Sequence, residues 1–322
     1  MNRNKLRLTG AALAMLILIL DSRAAAQAAA AGVEACIRTV IPALFPFFLL
    51  SGYLTGSLGS GNLSGIVARI FHVPKNCGGI LLAGLLGGYP LGAKLASQSC
   101  HNGMISRKQA DRLLMFCSQA GPSFLFGIAA AQLNGGASGW TLWGIQLLSA
   151  WLVSRLFPIQ FQSAPIQQKA NKTDDPMRSS LIAMASVCGW VVIFNVVICF
   201  LNRWFLWFLP ETAQVLICGM LELTNGCLLL SSLANQQQRF LLAVMMLNFG
   251  GLCVIMQTAS VAQGLDLKRY IYGKVLQTLF SVLLALAFMG RYIFLIPLFA
   301  VFYIKIPCFF VKRGSNLRRV GV

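Results

Sequence analysis

Residues 84–94 read GLLGGYPLGAK: glycines, a tyrosine and a proline set inside an apolar run that ends on a lysine. Glycine loses more backbone entropy on ordering than any other residue, and proline removes a helix hydrogen bond. The segment must therefore break at Gly88, Tyr89 and Pro90, and how it breaks decides the architecture. One reading is a membrane-spanning helix kinked at Pro90, which neighbouring helices tolerate. The other is a hairpin that enters the membrane, turns at this tip and leaves by the face it came from. Non-helical backbone at that depth is allowed only where protein or a water-filled cavity satisfies its polar groups.

The surrounding composition makes the membrane the relevant solvent. Of 322 residues 57% are hydrophobic and 11% charged, whereas soluble domains carry about 25% charged residues. Apolar segments fall at about 6–22, 36–58, 78–100, 113–133, 139–158, 179–201, 212–233, 240–262, 275–290 and 292–311. They approach the ~20 residues that cross a bilayer, and the ~10-residue alternation of a transmembrane barrel is absent. The expected fold class is an all-α polytopic membrane protein. A net charge of +18 would suggest nucleic acid in a soluble protein. Here the basic residues sit in short loops and form no separate domain, so the partner is the lipid bilayer and no nucleic acid is expected. Ten cysteines without a CxxC read as small buried hydrophobes. The two histidines, His72 and His101, make no metal site, and no cofactor is implied. No GxSxG, HExxH or GxxxxGK[ST] occurs, so an enzyme is not expected.

Charge placement chooses between the two readings of the tip. If all ten segments span from a cytoplasmic N-terminus, loop Lys and Arg divide 13 inside to 11 outside, which is hardly a bias. If 78–100 and 212–233 dip in and return, the inside set becomes Arg3, Lys5, Arg7, Arg69, Lys75, Arg107, Lys108, Arg112, Arg155, Lys169, Lys172, Arg178, Lys268, Arg269, Lys274, Lys312, Arg313, Arg318 and Arg319. Outside remain Arg23, Arg38, Arg203, Arg239 and Arg291, with Lys94 and Lys305 at membrane depth. The split of 19 to 5 favours about eight transmembrane helices plus two re-entrant hairpins, with both termini cytoplasmic.

The second half of the chain echoes the first. ILLAGLLGGYPLGAKL (80–95) lies opposite VLICGMLELTNGCLLL (215–230), which sets Gly84 on Gly219. FCSQAGPSFLF (116–126) lies opposite MMLNFGGLCVI (245–255), which sets the Gly121-Pro122 break against Gly250-Gly251. Each unit holds a helix, a hairpin, a broken helix and a plain helix. Three crossings is an odd number, so the copies are inverted, a build that places a transporter's solute site near the midplane where broken helices meet. The corresponding boundaries are 1–35, an N-terminal membrane helix and interfacial stretch; 36–158, the first repeat; 159–178, a polar cytoplasmic linker; 179–290, the second repeat; and 291–322, a C-terminal helix with a basic tail. The basic start and Ala-rich tail of residues 1–30 also fit a cleavable signal peptide, but an uncleaved first helix is favoured. The Ala-rich residues 24–40 read as interfacial, with Pro42 and Pro46 kinking or ending the helix beyond them.

Five blocks carry a family resemblance: PALFPFFLLSG (42–52), GGYPLGAKL (87–95), RKQADRLLMFCSQAGPSFLFG (107–127), ELTNG (222–226) and NFGGLCVIMQTAS (248–260). Together they resemble the sporulation integral membrane proteins of the YlbJ type, part of the wider nucleoside-recognition or Gate group. That resemblance implies a bacterial cytoplasmic-membrane protein of endospore formers with transporter-like architecture. It implies sporulation proteins as possible partners and nucleosides by analogy of fold alone. Nucleoside carriers place acidic and amide residues at both hairpin tips; here the first tip has Tyr89 and no carboxylate.

The candidate binding residues cluster at the breaks. Glu222 is the only acidic residue in the interior of an apolar segment, Asp21 standing at the edge of the first, and an intramembrane carboxylate costs about 2.5–3.5 kcal/mol on insertion scales. With Thr224 and Asn225 it makes the most polar tip, able to bind a cation, a proton or a solute hydroxyl. Otherwise it is a solvated or hydrogen-bonded residue at the hairpin mouth. Lys94 either meets an anionic group, pairs with Glu222 across the pseudo-symmetry axis, or snorkels to the interface. Ser118 and Gln119 flank the Gly121-Pro122 break, and Asn248 and Gln257 the related one. Their roles are solute contact or helix–helix hydrogen bonding. The structural breaks are Gly88, Pro90, Gly121, Pro122, Gly250 and Gly251. A small solute with a coupling cation is the expected cargo; a membrane scaffold for the spore envelope is the alternative.

Overall fold

The computed structural model describes residues 3–54, 61–133, 136–159 and 175–290. Most of the polar linker and all of 291–322, including the apolar segment at 292–311 and Lys305, lie outside them. Among the described residues the elements are all helices. After α1 (Arg3–Leu20), α2 (Ser22–Ala35) passes through a π-helical turn at Cys36–Val40 into α3 (Ile41–Leu54). The Ala-rich residues form one helical run with α3, and by length and composition Ser22–Leu50 is long and apolar enough to cross a membrane. Two causes account for this. Small side chains let α2 lie against the neighbouring helix at 176–201: a Cβ on Gly32 would fall 2.9 Å from Val192 Cα. The π turn, in which Ile41 N donates to the Cys36 carbonyl, also comes just before Pro42, which has no N–H to offer the preceding turn.

Helices α4 (Asn62–Phe71) and α5 (Lys75–Gly87) meet at 94°. α5 and α6 (Leu91–His101) are joined by Gly88, Tyr89 and Pro90, with Gly88 at φ +85°, a value that favours glycine. The two helices close on each other at a glycine pair: a Cβ on Gly84 would lie 2.8 Å from Gly92 Cα and closer still to the Cys117 carbonyl. Asn76 at the start of α5 donates to the Met104 carbonyl beyond the end of α6 (2.9 Å), so the pair returns to the end where it began. A capping box of Ser106 and Gln109 starts α7 (Arg107–Leu113). The chain is then non-helical before Pro122 opens the short α8 (Pro122–Phe124), which continues through π and 3-10 turns to Leu133. α9 (Gly136–Leu156) completes the half.

The second half runs as a long helix, a helix pair, a helix broken at a glycine and a final helix, with no counterpart to α4. α10 (Pro176–Leu201) is capped by Asp175 and leads through a π turn at Asn202–Leu206 to α11 (Glu211–Leu221) and α12 (Leu223–Leu229). That pair is broken at Glu222, extended at φ −139°, ψ 117°, and it too closes on glycines, Gly219 against Gly226. α13 (Gln236–Phe249) and α14 (Gly251–Val261) are separated by Gly250 at φ +85°. α15 (Leu267–Phe288) is capped by Asp266. It begins well before residue 275, so Lys274, a loop charge on the sequence reading, lies inside the helix and is fully buried.

Among the described residues four helical runs can cross a membrane by length and composition: Ser22–Leu50, Pro176–Leu206, Gln236–Val261 and Leu267–Phe288, or five if the bent α4–α5 pair is one span. Polar contacts mark two ends. At one, Asp111 accepts from Asp266 N (2.8 Å), Ser97 donates to the Gln263 carbonyl (3.1 Å), Arg112 to that of Pro158 (2.6 Å), and Gln98 to Ser179 Oγ (3.4 Å). At the other, Gln236 donates to the Leu133 carbonyl (3.1 Å) and Arg239 to that of Gln132 (3.4 Å). α9 and α15 run between the two. The α11–α12 pair leads directly into the second end.

Candidate functional site

The breaks of both halves converge. A Cβ on Gly121 would fall 3.0 Å from Gly88 Cα, so the first tip rests on the first break. A Cβ on Gly251 would meet the carbonyls of Gly219 (3.0 Å) and Met220 (3.2 Å), so the second break rests on the second hairpin. Tyr89 crosses between the halves: its hydroxyl donates to the Leu247 carbonyl (3.0 Å), and Gly250 lies against its ring. The space left at this junction is a cavity of about 50 Å³. Tyr89, Ala120 and Gly121 line it from the first half, Glu222, Thr224 and Gln257 from the second, and valines of the first π turn and α10 close its sides. A water occupies ~30 Å³ of liquid, so the cavity holds one or two waters or a small ion.

Glu222 is fixed within it. The carboxylate, 3% exposed, accepts from Thr224 N (3.0 Å), Asn225 N (2.8 Å) and Asn225 Nδ2 (3.0 Å). It therefore caps α12, satisfying amides that a helix start leaves open. Asn225 also donates to Asn195 Oδ1 (3.1 Å), tying the tip to α10. Gln257 presents its amide to the cavity and donates to Cys253 Sγ (3.2 Å). A carboxylate, a hydroxyl and an amide in an apolar surround suit a cation or a hydroxyl- or amine-bearing solute.

A second polar cluster lies beside the first. Lys274 Nζ donates to Tyr89 Oη (2.9 Å), Gln277 Oε1 (3.0 Å) and Gln119 Oε1 (3.4 Å), and sits 4.8 Å from the Tyr89 ring centroid. Gln119 and Gln277 exchange hydrogen bonds at 3.0 and 2.7 Å. Gln277 continues to Asn248 Oδ1 (3.1 Å), which also accepts from Ser149 (3.1 Å). Gln119 Nε2 takes up the Phe116 carbonyl at the first break (2.9 Å).

The structure thus brings Tyr89, Glu222, Thr224 and Gln257 to the cavity. Gln119 and Asn248 lie in the adjoining cluster, Asn225 braces the second tip, and Ser118 is buried with no hydrogen-bond partner on its hydroxyl. Lys94 is elsewhere: it donates to the Ser179 carbonyl (3.4 Å) and faces the Phe48 ring (5.2 Å). The Lys94–Glu222 pair, one of three readings of that lysine, is not formed; the carboxylate is held by its own helix start. Gln277 and Ser149 have no counterpart in the sequence reading, and Lys274 enters it only as a loop charge. The available signal was the spacing of Tyr270, Lys274, Gln277 and Ser281 at i, i+4, i+7 and i+11, which marks one helix face, and all four are fully buried.

No family model matches the chain, and no solved structure matches it. A search of curated proteins finds the sporulation integral membrane protein YlbJ of Bacillus subtilis (strain 168), 26% identical, the match covering 82% of this chain and 77% of the relative. Over most of its length the chain is therefore similar to a YlbJ-type sporulation integral membrane protein, in accord with the motifs that first suggested that family.

Proposed function

We propose that the protein is a multi-pass cytoplasmic-membrane protein of endospore formation that binds a small polar solute between two re-entrant hairpins and moves it without catalysis. The observation that carries this reading is the cavity where Tyr89 and Gly121 of one half face Glu222, Thr224 and Gln257 of the other. The repeated order of helix, hairpin, broken helix and helix supports an inverted repeat, the arrangement in which such a site serves alternating access. Return of α5–α6 and of α11–α12 to opposite ends supports hairpins entering from opposite faces. The basic residues Arg107, Lys108, Arg112, Lys268 and Arg269 make the first end cytoplasmic. A nucleoside-like cargo rests on family likeness alone and requires the tips to part, since a cavity of about 50 Å³ is too small to hold one.

That small volume favours a second reading, a membrane scaffold for spore-envelope assembly whose Gate-like core no longer transports. Uptake by the full chain in lipid vesicles, screened with nucleosides, amines, metal ions and small metabolites, separates the two. Solute binding requires that Gln257→Leu and Thr224→Val abolish uptake with membrane levels unchanged. A scaffold requires that both be tolerated in sporulating cells while changes in the loop 59–77 or the linker 159–178 are not.

A further inference from the structure

The Lys274 amine sits in a cage of neutral oxygens. It is entirely buried, and among the described residues no carboxylate bonds to it. Its three N–H donors have three acceptors: Tyr89 Oη at 2.9 Å, Gln277 Oε1 at 3.0 Å and Gln119 Oε1 at 3.4 Å. The Tyr89 hydroxyl spends its own proton on the Leu247 carbonyl (3.0 Å), leaving its lone pairs to the ammonium. Beyond the oxygens, α5 and α13 end beside Tyr89, and helix C-termini carry partial negative charge that favours cations. Neutral oxygens and backbone dipoles of this kind replace the hydration shell of a monovalent cation. The three oxygens come from the first tip, the first break and α15, and the Leu247 carbonyl adds the second break.

We propose that the Lys274 ammonium is a tethered cation filling a monovalent-cation site, and that it joins the first tip to both breaks as a bound alkali ion would. The protein then needs no free sodium or potassium to assemble its core. Shortening the side chain re-creates a site for the free ion. This inference does not depend on whether the neighbouring cavity carries a solute.

The test is thermal unfolding of the full chain in detergent, followed by tryptophan fluorescence, in NaCl, KCl and choline chloride at equal ionic strength. The native protein is expected to melt at one temperature in all three. Lys274→Ala is expected to melt lower in choline and to gain a saturating rise of roughly 3–8 °C in NaCl or KCl. Lys274→Met fills the space without charge and is expected to show no ion-specific rise. A folded Ala variant that melts identically in the three salts overturns the proposal. So does an equal ion-specific rise in the native protein or in the Met variant. If the Ala variant does not fold in choline, its yield of monodisperse protein is the readout: recovery in NaCl or KCl supports the site, and failure in all three salts overturns it.

Discussion

Gly84 offers the most demanding test of the hairpin geometry. It lies in α5, where alanine is conformationally preferred and would gain about 0.8–1.0 kcal/mol of helix propensity. The structure opposes that gain on two sides. An added Cβ would overlap the Cys117 carbonyl and fall 2.8 Å from Gly92 Cα. Both obstacles are backbone, so neither yields by a side-chain rotation. Overpacking costs typically 1–3 kcal/mol, and with no flexible neighbour the upper end applies, leaving a net loss of about 2 kcal/mol after the propensity gain. Gly219→Ala, the related position in α11, meets chiefly Met246 Sδ, a flexible side chain that can move, so its loss is expected to be smaller. Gly144 and Gly189 have nothing within 4 Å of an added Cβ, and their alanine variants are expected to be neutral or slightly stabilised. Thermal unfolding in detergent ranks the set, with about 4–8 °C separating Gly84→Ala from Gly144→Ala on soluble-protein scaling. Equal melting of those two variants would refute the glycine-on-glycine closure.

The remaining expectations concern the polar groups. Glu222→Gln replaces an acceptor with an NH2 group facing the amides of Thr224 and Asn225; it is expected to lose about 1–3 kcal/mol in the same assay, whereas Glu222→Asp loses less. Lys94→Ala and Glu222→Ala are expected to add within about 0.3–0.5 kcal/mol, since the two side chains share no partner; a coupling above 1 kcal/mol would contradict the separation. Tyr89→Phe removes the acceptor for Lys274 and the donor to Leu247, and about 1.5–3 kcal/mol is expected to go with them. Asp111→Ala frees Asp266 N, and limited proteolysis is expected to cut faster near 262–266 while the hairpins stay protected.

Much of the site was legible because the membrane makes polar residues conspicuous. Glu222 stands out as a lone acid in an apolar segment, and the Gly88 to Pro90 break follows from backbone chemistry alone. Gln119 and Asn248 were recognisable as amides at breaks, but not as members of one cluster, because Gln277, which bonds to both, did not stand out within its apolar run. Lys274 follows two basic residues near the start of an apolar run, a pattern that describes a loop charge as well as a buried one. Only the packing of α15 against α9 and α13 distinguishes the two. The Ala-rich residues of α2 carry a different ambiguity. Their low hydropathy suits an interface, yet small side chains are also what close helix packing needs, and the partner α10 lies about 150 residues away in the chain.

The account's central claim is that two tips, entered from opposite faces of the membrane, meet at Tyr89 and Glu222. His101 lies at the end of α6, and Gln237 at the start of α13. Single cysteines at these positions, labelled in intact cells with a membrane-impermeant maleimide against the unsubstituted protein as background, report the side of each directly. The account requires Gln237→Cys to react in intact cells and His101→Cys to react only after the membrane is opened. Labelling of both positions from the same side, or of His101→Cys alone in intact cells, would contradict it.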